Sequence, residues 1–284
     1  KRCKMKFKVD KKFFDKVDNA CFGVIIARGI DNTKKYDFIE KLLEDEINSI
    51  EEEYRDKKVK ELPEIELYRE AFRKLDINPN KYMCSIEALV SRTVKSKHIP
   101  NINPIVDLGN ALSLKYRIPL GIHDIDRFRG NIEIRFANSD DRFVPFGGGD
   151  YDNPDVGEVI YVSGNDVKTR RWTWRQGENS KVDETIKNAF IPLDGFTENK
   201  ESILKLQKEF EENTNFVPNT FTYPFGAISK ESIDIIKNMG FKASLSCEEG
   251  INYINKDKER LFLLKRNNRP SRISSEKFFS KLLK

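Results

Sequence analysis

The sequence predicts an α+β fold, helices with a mixed or antiparallel sheet, followed by a small α/β stretch. Three observations predict it. Apolar residues recur at helical spacing through much of the chain up to Tyr116. From Asn131 the texture changes to alternating strands separated by Gly- and Asp-rich turns. Helix-rich and strand-rich stretches are therefore segregated, as in α+β domains, rather than interleaved as in α/β domains.

The elements follow in order. Met5–Val9 alternates apolar and basic residues, as a half-buried strand does, and Lys11–Asp15 is a short helix. Cys21–Ala27 is a continuous apolar run, a buried strand ended by Gly29. Phe38, Ile39, Leu42, Leu43, Ile47 and Ile50 form a helical stripe within Lys35–Lys58, and the acidic run at Glu51 is its solvated face. A helix over Glu66–Leu75 stops before Asn78-Pro79, because the residue before a proline is pushed out of the helical region. Ser85–Val94 is a helix with Ser85 as its cap, and Pro104–Tyr116 is a helix opened by proline at a tolerated position. Asn131–Phe136, Gly157–Val162, Val167–Arg175 and Asn188–Leu193 are strands, and Glu198–Glu212 is a charged helix. A boundary is placed at Asn213, giving domains 1–212 and 213–284. Beyond it come an extended Phe216–Gly226, a helix Ser229–Met239 stopped by Gly240, short strands at Phe241–Leu245 and Leu261–Leu264, and a final helix Ser275–Leu283.

Composition narrows the function classes. At 38% hydrophobic and 34% charged residues, the chain is neither disordered nor membrane-embedded in character. A net charge of +5 permits nucleic-acid binding without demanding it, since 51 basic and 46 acidic residues nearly cancel. The four cysteines are widely and irregularly spaced with no CxxC pair, so neither a zinc site nor a disulfide framework is expected. A reduced, cytoplasmic setting and no metal or other cofactor are the expectation. Gly147–Gly149 lacks the lysine and following helix of a phosphate-binding loop and is taken as a turn.

The stretch Ile99–Gly130 holds the most information. Asn103, Asp107 and Asn110 recur at helical spacing and lie near one face, which can order a neighbouring loop by hydrogen bonding. His123-Asp124-Ile125-Asp126 follows, and the imidazole is either packed in a turn, bonded to Asp124 or Asp126, or available to substrate. In a strand over Arg170–Gln176, Arg171, Thr173 and Arg175 face one way and Trp172 and Trp174 the other. Arginines on an exposed face suit phosphates, and a tryptophan can stack on adenine, although at least one tryptophan is expected in the core.

This order of elements resembles the editing domain of the phenylalanyl-tRNA synthetase beta subunit. The resemblance rests on Asn101–Asn110, Leu120–Asp126 and the strand Ile132-Glu133-Ile134-Arg135-Phe136-Ala137. Tyr68–Arg73, Ile77–Tyr82, Ser85–Leu89 and Arg170–Gln176 are more similar to freestanding members of that family. It covers residues 5–211. The resemblance implies tRNA or aminoacyl-tRNA as partner, and hydrolysis of the ester that joins a wrong amino acid to the terminal ribose. It implies a substrate site including Asn103, Asp107, Asn110, Asp124, Arg171, Trp174 and Arg175. His123 becomes the candidate for orienting water or ribose, although the family histidine falls on Gly121. Glu178, within Gln176–Thr185, falls on a glutamate of the family's pocket, where it would bind the α-amino group. A non-catalytic RNA-binding module is the alternative.

Residues 214–284 resemble the C-terminal part of a polysaccharide deacetylase, on Phe221–Ala227, Gly240–Ala243 and Leu261–Arg266. That family's Asp-Asp pair and His-x-x-x-His helix are not in the sequence, so no deacetylase chemistry is expected of the fragment.

Overall fold

The computed structural model describes residues 5–214, 220–222, 228–239, 241–246, 248, 252 and 261–265. The chain divides into two compact units, residues 1–210 and 211–284.

The first unit is α+β. One sheet is mixed and five-stranded, in the order β1 (Phe7–Val9), β4 (Ile132–Phe136), β5 (Val159–Ser163), β6 (Asp166–Arg170) and β7 (Arg175–Gln176). β1 runs parallel to β4, and the other pairs are antiparallel. The second sheet is antiparallel, with β8 (Asn188–Phe196) between β2 (Ala20–Arg28) and the short β3 (His123–Asp124). The helices of this unit are α1 (Lys11–Lys16), α2 (Asp37–Tyr54), α3 (Pro63–Lys74), α4 (Ser85–Ser96) and α5 (Pro104–Tyr116), with α6 (Lys200–Thr214) running past its end.

β8 is the central element. From Ala189 to Phe196 every residue is buried, so neither face meets solvent. Side chains alternate across a strand, and the two faces enter different cores. Ala189, Ile191 and Leu193 pack with Ile105, Leu108 and Leu112 of α5 and Leu206 and Phe210 of α6. Phe190 and Phe196 pack with Phe13, Tyr161 and Trp172 on the other side. Period two therefore sends Asp194 toward that second, aromatic core. Fully burying the hydrophobic side chains of such a strand stabilises the fold by about 1.5–3 kcal/mol each.

Helix ends follow local chemistry. Asn103 caps α5: its Oδ1 accepts from the Val106 N–H at 3.2 Å, and Pro104 takes the first helical position. Asp10 caps α1 in the same way through the Lys12 N–H. Ser85 does not cap α4. It is the first helical residue, Cys84 stands at the cap without a side-chain bond, and the Ser85 N–H donates to the Thr173 carbonyl at 2.8 Å.

The expected strand Val167–Arg175 is instead a tight hairpin. β6 ends at Arg170, and the chain turns through residues 171–174 before β7. Arg171 and Trp172 both have positive φ, 45° and 57°. For non-glycine residues this backbone is unfavourable, and consecutive bulky examples are rare. Burial holds them: Trp172 is fully buried and its N–H donates to Val159 O at 2.8 Å. The strand-alternation assignment of Arg171, Thr173 and Arg175 to one exposed face is therefore corrected. Arg171 and Thr173 are buried, and of the three only Arg175 is exposed.

In the second unit, β9 (Thr220–Thr222) and β10 (Ala243–Leu245) pair in parallel, and α7 (Lys230–Asn238) is capped by Ser229. Leu261–Leu264 is not a strand as expected; Leu264 alone makes a bridge, to Leu245. Most of the expected extended stretch Phe216–Gly226, the Gly240 stop and the Ser275–Leu283 helix lie outside the described residues. Among the described residues no helix is long and apolar enough to cross a membrane.

One buried ion pair ties α3 to α4. Arg69 Nη1 donates to Glu87 Oε1 at 2.6 Å, and it also donates to Pro79 O, while Glu87 Oε2 has no partner. Removing the arginine strands a buried carboxylate. Arg69→Ala is expected to cost about 3–5 kcal/mol in urea denaturation, whereas Arg73→Ala, an exposed partner of Glu66, is expected to cost about 0–1 kcal/mol.

Candidate functional site

A cavity of about 70 Å³ lies where the two sheets approach each other. β3 and the segment leading into it contribute Pro119, Leu120, Gly121 and His123. β8 contributes Pro192 and Asp194, β5 Tyr161, and the strained hairpin Trp172, Thr173, Trp174 and Arg175. The β3–β8 edge is stitched by Gly121 N–H to Pro192 O at 3.1 Å and by Asp194 N–H to Pro119 O at 3.1 Å.

Asp194 is the polar centre of this cavity. Its Oδ1 accepts from Tyr161 Oη at 2.6 Å and from Trp172 Nε1 at 2.7 Å. Its backbone carbonyl accepts from Tyr68 Oη at 3.0 Å. Among the described residues no cation bonds the carboxyl. Burial therefore dominates and pushes its pKa up to about 7, against the two hydrogen bonds that lower it.

His123 stands at the other end of Tyr161. The two rings lie 6.3 Å apart at 30°, with Phe190 and Phe128 completing an aromatic box. Burial, with the Lys168 ammonium nearby, lowers the imidazole to about 3, so the ring is neutral at physiological pH. Its Nδ1 is buried without a partner, and so is Thr173 Oγ1. Neither Asp124 nor Asp126 bonds the imidazole: Asp124 accepts from the Asp126 N–H and Arg127, and Asp126 accepts from Asn188. A Cβ at Gly121 would sit 3.0 Å from His123 Nε2. Positions 121 and 123 thus address the same space, and glycine at 121 leaves room for the imidazole from 123.

The other sequence-derived candidates are dispersed. Trp174 and Arg175 line the cavity, with Trp174 half-buried against Tyr82 and Arg175 exposed. Asn103 caps α5 and donates to Val182 O. Asp107 accepts from the Ile102 N–H at 2.9 Å and from Asn101 at 3.2 Å, so it orders the loop before α5. Asn110 is half-buried on the same helix. Asn103, Asp107, Asn110 and Asp124 do not line the cavity. Arg171 lies 3.8 Å from the Tyr82 ring and pairs with Glu158 at 3.0 Å, which also takes both ends of Arg170. It faces a separate, wide cleft with Lys12, Lys16 and Lys81. Glu178 accepts from the Gly147 N–H at 3.0 Å and pairs loosely with Lys181, outside the His123 cavity. Asp194 was not singled out from sequence. Its signal was there: a single carboxylate inside the apolar run Ala189–Phe196.

Comparisons with known proteins relate the chain to one family. The family profile described as the B3/4 domain matches residues 67–217, more than half of the chain. The chain belongs to the B3/4 domain family. Over 116 residues it is 28% identical to the phenylalanine–tRNA ligase beta subunit of Fusobacterium nucleatum, covering 41% of this chain and 14% of that one. A solved N-terminal fragment of the phenylalanyl-tRNA synthetase beta subunit from Pyrococcus horikoshii is similar at a TM-score of 0.43 and 12% identity, over 76% of this chain and 50% of that one. The chain thus spans about one seventh of the curated relative it matches. The family match ends at residue 217 and gives no support to the deacetylase likeness of the tail.

The raised pKa of Asp194 has a stability consequence with a definite sign. Between the ordinary carboxyl value of 3.8 and about 7, the folded chain holds a proton that the unfolded chain has released. Its contribution to stability is therefore lost as pH rises through that window. Asn at this position can still accept from Tyr161 and Trp172 and carries no charge. Asp194→Asn is expected to raise Tm at pH 8, by a stabilisation of about 1–3 kcal/mol, with the gain shrinking toward pH 4; thermal melts across pH 4–8 measure it.

Proposed function

We propose that residues 5–211 form an editing-type domain that hydrolyses the ester of mischarged aminoacyl-tRNA. The observation that carries this reading is the cavity itself. It gathers a neutral imidazole, an unpartnered hydroxyl and an uncompensated carboxyl in a buried, strained setting, with an aromatic and an arginine at its mouth. Strain and unsatisfied polar groups persist where a ligand completes them. Membership of the B3/4 family and the similarity to a phenylalanine–tRNA ligase beta subunit support a tRNA-linked substrate.

The reaction is ester hydrolysis. Water adds to the ester carbonyl carbon, the carbonyl oxygen takes up negative charge, and the bond to the ribose oxygen then breaks. One proton of the water passes to the ribose oxygen, the other is released to solvent, and the amino acid leaves as a carboxylate. With a pKa near 3, His123 is a weak base. Its part is to hold the attacking water by a hydrogen bond, and orientation of that kind supplies much of the acceleration an already labile ester needs. The Thr173 hydroxyl is free to donate toward the developing oxyanion. Arg175 and Trp174, at the mouth, suit the terminal phosphate and adenine of the acceptor end.

A binding module without turnover is the second reading, favoured by the low basicity of His123. A panel of mischarged tRNAs decides between them. At least one is expected to be cleared faster than in buffer, with kcat/KM falling roughly 10²-fold in His123→Ala. Salt-dependent tRNA binding with no deacylation above buffer across the panel would establish the binding module instead.

A further inference from the structure

We propose that Asp194 is the anchor for the free α-ammonium group of the aminoacyl ester, so that the site takes esters with an unblocked amine and rejects N-acylated ones. This rests on the hydrolase reading above.

Geometry carries the assignment. The carboxyl is 3% exposed and lines the cavity. Both neutral donors that reach it, Tyr161 Oη and Trp172 Nε1, use the same oxygen, Oδ1. Oδ2 has no hydrogen bond among the described residues. Arg175, the one cationic side chain lining the cavity, is exposed and gives Asp194 no hydrogen bond. A buried carboxylate without a cation is costly, and native proteins pair such charges. Here the missing partner is a cation that arrives with the ligand.

Size and neighbours agree. A cavity of about 70 Å³ has room for a group the size of an ammonium. Tyr161 links the two ends of the cavity, its ring against His123 and its hydroxyl on Asp194. An amine held by Asp194 therefore enters a cavity that His123 and Thr173 also line. Glu178, to which the sequence pattern gave the amine, is held by Gly147 and Lys181 and does not line this cavity. The strained turn has a purpose on this account: φ of 57° at Trp172 aims the indole N–H at Oδ1 and leaves Oδ2 open.

The test compares the tRNA cleared fastest in the panel with the same aminoacyl-tRNA after N-acetylation, each rate divided by its hydrolysis in buffer. Acetylation is expected to lower the corrected kcat/KM of the native chain by about 10- to 100-fold, the size of one charge-assisted hydrogen bond. In Asp194→Asn that ratio is expected to collapse toward one, through loss of activity on the free-amine ester. Equal clearance of blocked and unblocked esters by the native chain overturns the proposal and leaves the hydrolase reading intact. So does an Asp194→Asn protein that keeps the native ratio. The native-chain comparison decides the matter even if the variant does not fold. A panel in which nothing is cleared removes the hydrolase reading and this assignment with it.

Discussion

A carboxyl group without a cation, buried between two sheets, is the constraint on which the rest of this unit turns. Asp194 sits in the fully buried run Ala189–Phe196, which is otherwise apolar on both faces. Its Oδ1 draws the Trp172 indole and the Tyr161 hydroxyl to one point. The indole reaches that point from a turn in which Arg171 and Trp172 both enter the left-handed region. The same turn places Thr173 and Trp174 on the cavity wall and ties the hairpin to α4 through Ser85. Two neutral donors lower the cost of the buried acid without cancelling it, as its raised pKa records.

The cationic network around the hairpin is a different kind of structure. Arg170 and Arg171 are both satisfied by Glu158, and Arg171 also stacks on Tyr82. These arginines are neutralised and buried, so they hold the hairpin and leave the exposed Arg175 as the one at the cavity mouth. Lys168 is likewise spent, donating to Asp166 at 2.7 Å while its burial lowers its own pKa. Its main effect on the cavity is electrostatic: it helps keep His123 neutral.

Much of the fold was legible in the sequence. α5 runs from Pro104 to Tyr116 because a capping asparagine, a proline and a regular apolar face all agree. The α+β class followed from where the alternating segments begin. The Arg170–Gln176 segment was not legible, because neither Arg171 nor Trp172 advertises a positive φ; tertiary burial imposes it. Asn103 and Asp107 looked like site residues because polar side chains at helical spacing do not say whether they meet substrate or their own loop. In the fold Asn103 caps its own helix and Asp107 orders the loop before it. Asp194 could have been found by asking what a single acid does in an otherwise apolar, fully buried strand.

The central claim is that Asp194 is an acid left without a charge partner until ligand binds. Titration of its side-chain carbon by NMR in the free protein measures this directly. A midpoint near 7 is expected, far above the ordinary 3.8. A midpoint at or below 4 would mean that the carboxyl is already compensated in the free fold, and the account of the cavity built on it would be wrong.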